Sequence, residues 1–177
     1  EANDIPRVLA LVDAISDEAL KRNLALSLSD ASALLWRLKL EGHHERERFK
    51  RIAIAWSAKI EPAFHAFNDM HAAMAFVGAN LEPEAEALIA SREAWLATNP
   101  PASTSNAAMT RDIGLPVMRA VLAFHRERFS EVVAYLYPIR HRIHEFGGSH
   151  AQRDAVYKTL LEATLRSGQF ALANSLT

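Results

Sequence analysis

Apolar residues recur at intervals of three and four along nearly the whole of this 177-residue chain, and that period constrains the fold more than any other feature. Ala31, Leu34, Leu35 and Leu38 form one stripe; Phe49, Ile52, Ala53, Trp56 and Ile60 form another. A turn of 3.6 residues brings such positions onto one face, whereas a strand needs sustained alternation with β-branched residues, and no stretch supplies it. The pattern is interrupted by only 6 glycines and 7 prolines, and a hydrophobic content of 50% is enough to build a core. The expectation is an all-α fold, read as one domain over residues 1–177.

The breaks divide the chain into helices. A first helix is expected near Pro6 to Ile15, with Ser16 as the N-cap of a short second segment. SDASALLWRLKL ends at Gly42, a C-cap glycine, and ERERFKRIAIAWSAK ends before Pro62, whose ring biases Glu61 away from helix. The next helix is expected from about Pro62 to Gly78, and Pro83 suits the first turn of PEAEALIASREAWLA. NPPASTSNA, Asn99 to Ala107, is the clearest loop. A helix to about His125 follows, kinked or started by Pro116, and then SEVVAYLYPIRHRIHEF up to the Gly147-Gly148 break. Ser149 and Gln152 have capping-box spacing, and QFALANSLT begins a last helix. Phe129 and Phe170 stand 41 residues apart, and the turn glycines Gly42 and Gly78 stand 36 apart. These periods fit paired helices, so about four irregular pairs in an α-solenoid are expected, with a compact helical bundle as the alternative.

Charge and composition exclude several functions. Lysine plus arginine number 20 against 21 acidic residues, which removes the basic excess that nucleic-acid binding normally shows. With no cysteine, disulfides, thiolate metal sites and cysteine nucleophiles are ruled out. No apolar run approaches the ~20 residues of a membrane-spanning helix, so no membrane partner is expected. Asp4, Arg7 and Asp13 interrupt any secretory leader. Because the chain begins with Glu1, it is read as a piece of a longer protein, with a cytoplasmic location as the expectation. Homo-oligomers become possible if the last helix is left without a partner.

Several stretches resemble the tetratricopeptide repeat protein 38-like family: LLWRLKLEG, FNDMHAAMAF, TRDIGLP, and above all YPIRHRI followed by GGSHAQRDAV. Their order and spacing match as well, from about Leu28 to the C-terminus, while residues 1–27 match poorly. Members of that family are much longer, so the chain resembles a C-terminal section. The resemblance implies an irregular tetratricopeptide-like α-solenoid and implies no reaction, cofactor or ligand.

Candidate site residues follow from polar groups set within apolar helices. In FHAFNDMHAAMAF, a helical wheel places Met70, Ala73, Met74, Val77 and Phe67 on one arc. His65, Asn68, Asp69, Ala72 and Phe76 fall opposite, with His71 at the border. In stacked helix pairs the first helix lines the concave surface. The helices carrying this segment, TRDIGLP and SHAQRD are therefore expected to face one groove. The candidates are His65, Asn68, Asp69, Arg111, Asp112, Arg140 and Arg153. Asn68 is assigned to peptide backbone and the arginines to acidic groups, in a module that presents a polar concave groove to a peptide or protein partner. The alternative is a small-molecule or enzymatic pocket, with His65 and Asp69 as an acid/base pair and Arg153 as an anion clamp. Each candidate also has a structural reading. Asp69 could hold His65 or pair with an arginine, Asp112 could serve a helix start, and Arg153 could tie neighbouring repeats together. No HExxH motif, nucleophile elbow or phosphate loop occurs, and no metal or catalytic set is assigned.

Overall fold

Among the described residues, four helices end in the same way, and these stops set the architecture. Gly42, Asn80, Glu127 and Gly168 each take a left-handed backbone, with φ of 92°, 60°, 56° and 74°. After each, the next amide reaches back five residues: His43 to Leu38 O at 2.8 Å, Leu81 to Phe76 O at 2.8 Å, Arg128 to Ala123 O at 2.9 Å, and Gln169 to Thr164 O at 2.9 Å. This is the Schellman stop, which satisfies carbonyls that the helix end would otherwise orphan. Gly42 fills the role expected of it. Gly78 does not: it is the last residue of its helix, and a Cβ there would land inside the Phe49 ring. The turn position two residues on belongs to Asn80, whose short amide tolerates the left-handed region.

The computed structural model describes residues 4–22, 24–99 and 104–176, and the regular structure among them is helical, with no strand. The helices are α1 (Ile5–Arg22), α2 (Ala25–Leu40), α3 (Arg46–Ser57), α4 (Ala66–Gly78), α5 (Glu82–Thr98), α6 (Ser105–Met109), α7 (Leu115–His125), α8 (Phe129–Leu136), α9 (His150–Arg166) and α10 (Phe170–Leu176). Each stop is followed at once by another helix, giving the pairs α2–α3, α4–α5, α7–α8 and α9–α10. The fold is all-α. No helix among the described residues is long and apolar enough to cross a membrane.

The first helices of the pairs pack on one another: α2 on α4, α4 on α7, α7 on α9, and α9 back on α2. Trp36 of α2 is fully buried where they meet. Its Nε1 donates to Thr159 Oγ1 on α9 at 2.8 Å, and its ring stands edge-on to Phe124 of α7 at 5.9 Å. Trp56 Nε1 donates to Ser32 Oγ at 3.0 Å and ties α3 to α2. The face these helices share is thus filled by side chains. α4 lies deepest, with every residue from Ala66 to Gly78 except Asn68 buried. A helix that is apolar nearly all round belongs in such a place.

Several boundaries differ from those the sequence suggests. α1 runs unbroken through Ser16, whose hydroxyl donates to Val12 O at 2.7 Å and so sits inside the helix instead of capping a new one. α4 starts at Ala66, not near Pro62, because His65 is extended (φ −158°, ψ 124°) and caps the helix. Pro116 stands in the first turn of α7, in keeping with a helix started there. A single π turn, Thr110–Gly114, precedes it and spares the Pro116 ring the carbonyl an α-helix would present four residues back. α8 stops at Leu136, just before Pro138, and short 3₁₀ turns at Tyr137–Ile139 and Ile143–Phe146 replace the expected long helix. The expected loop from Asn99 to Ala107 includes residues 100–103, which lie outside the described residues.

Candidate functional site

The polar residues of FHAFNDMHAAMAF separate as soon as the backbone is drawn. His65 stands before α4, and its Nδ1 accepts the Phe67 amide at 3.1 Å, so its ring is spent on a helix cap. Asn68 is half-buried in the first turn. Asp69 points elsewhere, into the packing against α5. There Arg92, fully buried, donates from Nε to Asp69 Oδ2 at 2.9 Å and from Nη2 to Asp69 Oδ1 at 2.8 Å. Nη1 of the same guanidinium reaches Glu61 Oε1 at 2.7 Å and Ser91 Oγ at 3.0 Å, and Nη2 also bonds Ile60 O. Burial pushes the Asp69 carboxyl up, against the pull of Arg92. Burial also works against the Arg92 charge, but the bonds to Asp69 and Glu61 outweigh it and raise the group. A bidentate guanidinium–carboxylate pair is the one form in which these charges tolerate the interior.

Beside it, His71 is fully buried. Its Nδ1 lies 2.8 Å from Phe67 O and its ring packs on Phe67 at 4.4 Å. Nε2 has no hydrogen-bond partner among the described residues. Burial lowers its pKa from 6.5 to about 4, the Phe67 carbonyl opposing and Arg37 assisting. It is a neutral core histidine.

Arg111 and Asp112 form a second group, carried outward on the π turn. Arg111 bonds Asp112 through Nε and, at 3.0 Å, through Nη2. Arg142 Nη2 reaches Asp112 Oδ2 at 3.3 Å, and its Nε reaches Glu145 Oε1 at 2.7 Å. The hydrogen bond from Arg111 lowers the Asp112 pKa, burial opposing and Arg142 assisting. This network links the π turn to the 3₁₀ turn at Ile143–Phe146, with charges of both signs paired.

Arg140 and Arg153 differ from the rest because they border open space. Two adjoining clefts run along the outer face of α9. One, of about 510 Å³, is bordered by Arg37, His150, Arg153, Asp154, Tyr157 and Lys158. The other, of about 660 Å³, adds Tyr137, Arg140, His141, Leu160, Leu161 and Leu176 to the shared Asp154, Tyr157 and Lys158. Arg140 is locked in place: its guanidinium lies 3.8 Å from the Tyr137 ring centroid, Nη1 donates to Tyr137 O at 2.7 Å, and its own carbonyl accepts Tyr157 Oη at 2.7 Å. Arg153 Nη1 donates to Gly147 O at 3.2 Å and also to Gly148 O. Gly148 is glycine for two reasons, its φ of 77° and the Phe67 ring that a Cβ would strike. The Ser149–Gln152 capping box is present, with Ser149 N donating to Gln152 Oε1 at 2.7 Å and Gln152 N to Ser149 Oγ at 3.3 Å.

The seven candidates therefore occupy separate places. His65, Asn68 and Asp69 belong to the start and inner packing of α4, Arg111 and Asp112 to the π turn, and Arg140 and Arg153 to the α9 cleft. No acid/base pair forms between His65 and Asp69, since each has another partner. Among the described residues no group of three or more His, Asp or Glu is placed to hold a metal ion. Sequence reasoning missed Arg92, Arg37, Tyr157 and Lys158. Tyr157 and Lys158 were legible in outline, because Arg153, Asp154 and Tyr157 recur at three and four along a helix already singled out. Arg37 and Arg92 lie in other helices, and nothing local marks them. No protein-family model matches this chain, and no solved structure matches it significantly.

Proposed function

We propose that this chain is a helical-repeat interaction module of tetratricopeptide-like type, and that a protein or peptide partner lies along the outer face of α9. The repeated Schellman stops and the four helix pairs support the repeat reading, in keeping with the resemblance to the tetratricopeptide repeat protein 38-like family. The observation that carries the partner reading is the α9 cleft itself. It is open and bordered by Arg140 and Arg153 together with two tyrosines. Tyrosine and arginine are the side chains that interfaces favour, because each offers large contact area and a polar tip. The inner face between α2, α4, α7 and α9 is filled, so a polar groove finds room on the outside. The enzymatic alternative draws no comparable support, with the ring of His65 used in capping and the carboxylate of Asp69 held by Arg92.

The test is affinity capture with the 177-residue chain as bait, comparing wild type with Arg140→Glu/Arg153→Glu and with the distant Arg119→Glu. All three must melt alike before comparison. Loss of a captured protein from the double variant alone supports the reading; equal capture by all three overturns it.

A further inference from the structure

The two clefts along α9 share Asp154, Tyr157 and Lys158 as a common border, so they adjoin as one depression whose ends differ in character. At the polar end stand Arg37, His150 and Arg153. At the other, Leu160, Leu161 and Leu176 provide an apolar floor beside Tyr137 and Arg140. Taken together, the described lining holds four fixed cations, Arg37, Arg140, Arg153 and Lys158, against a single carboxylate, Asp154. The whole chain carries a formal net charge of −1, so this concentration of positive charge is local and not a reflection of composition.

The donors in the depression are largely unspent. Arg37 Nε is itself buried and lies 3.4 Å from Asp154 Oδ2 without hydrogen-bond geometry, and Lys158 Nζ lies 3.8 Å from the same oxygen. One carboxylate is thus shared between two cations at long range. Arg140 and Arg153 use Nη1 on backbone carbonyls, leaving Nε and Nη2 of each without a protein partner among the described residues. The polar end also receives the N-terminus of α9, a helix of 17 residues. Its first amides, at His150 and Ala151, precede the one that Ser149 caps, and the helix dipole adds to the positive potential there.

We propose that this depression binds an extended acidic peptide segment, its aspartate or glutamate side chains meeting Arg37, Arg153 and Lys158, with an aliphatic residue seated on Leu160, Leu161 and Leu176. The inference rests on the reading of the α9 cleft as a partner site. The cations are strung along two adjoining clefts, which suits several carboxylates on one chain better than one compact phosphate. Arg37, Arg153 and Lys158 share the polar cleft, whereas the leucines border only the other, with Arg140 beside them, and this asymmetry defines a polarity for the segment. A nucleic acid would need a longer basic track and would leave the leucine floor unused.

The probe is a fluorescent ten-residue peptide of alternating Glu and Asp ending in Leu-Leu, followed by anisotropy against the 177-residue chain at low and moderate salt. Controls are the Gln/Asn isostere, the acidic peptide ending in Ser-Ser, and a single-stranded oligonucleotide of equal charge. The acidic Leu-Leu peptide should bind at least tenfold tighter than the isostere and severalfold tighter than the Ser-Ser form. Lys158→Glu should weaken it at least tenfold, while Arg119→Glu leaves it unchanged. Equal binding of the isostere, tighter binding of the oligonucleotide, or indifference to Lys158→Glu overturns the acidic-peptide assignment. If no peptide binds while capture of a partner still depends on Arg140 and Arg153, the assignment fails and the partner site survives. If that capture is also indifferent to Arg140→Glu/Arg153→Glu, both fail.

Discussion

Asp69 and Arg92 show how a residue that reads as functional can serve the interior. The side chains of Asp69 and Arg92 are 4% and 1% exposed, and the guanidinium is saturated by two carboxylates, a hydroxyl and a carbonyl. Removing Asp69 leaves the buried guanidinium with only the largely exposed Glu61 carboxylate to balance its charge. Asp69→Ala is therefore expected to cost about 3–5 kcal/mol in urea unfolding, whereas Asp69→Leu/Arg92→Leu should cost much less. A single variant no worse than the double one would contradict this assignment. His71 makes a prediction about pH. Its folded pKa, about 4, lies below the ordinary histidine value of 6.5, so the folded protein resists a proton that the unfolded chain accepts. Stability from this group is present above about pH 6.5 and is lost as pH falls toward 4. Relative to His71→Leu, wild type should lose about 3 kcal/mol between pH 7 and pH 4. A parallel pair of stability–pH curves would show that His71 takes up a proton in the fold as readily as in the unfolded chain. From the sequence, Asp69 was visible as an anomaly in an apolar helix. Its partner was not, because a pairing across 23 residues leaves no local trace.

At the scale of the element, the helix stops carry the account. Gly78 lies in helix, where alanine would ordinarily be the better residue. Here its Cβ would enter the Phe49 ring, so Gly78→Ala should destabilise by about 1–3 kcal/mol in thermal or urea unfolding. Glu127 is the reverse case, a residue with a β-carbon held at φ 56° in a turn of the same kind as that at Gly42. Glu127→Gly should stabilise by up to about 1 kcal/mol, and a loss of stability would mean that the Glu127 side chain has a role of its own. These two positions also explain what the sequence concealed. A search for glycine finds the stop at Gly42, misplaces the one at Asn80 onto Gly78, and passes over Glu127. The left-handed residue is a backbone requirement that glycine fills most readily but not always. The capping box at Ser149 was legible because both partners lie three residues apart. The π turn at Thr110–Gly114 was not, although Pro116 marks the place where an ordinary helix would meet an obstruction.

For the molecule as a whole, the helical period was legible in the sequence, and closure was not. α9 returns to α2 through Trp36 and Thr159, a contact spanning 123 residues. That return fills the face where a groove was expected and separates the candidate residues into three groups. Those at α4 serve its cap and packing, Arg111 and Asp112 pair on the π turn, and Arg140 and Arg153 border the cleft along α9. The positive charge of the α9 cleft was hidden by a near-neutral composition, since Arg37 joins it from another helix. The claim that most of this account depends on is that a protein partner occupies the α9 cleft. The most direct measurement places a photo-crosslinking amino acid at Tyr157, 44% exposed in the cleft, and in a second chain at Ile54, 65% exposed on α3. Each is irradiated in lysate after its fold has been matched to wild type. The expected result is a discrete protein adduct from Tyr157 that disappears with Arg140→Glu/Arg153→Glu and has no counterpart at Ile54. No adduct at Tyr157, or the same adducts from both positions, would contradict it.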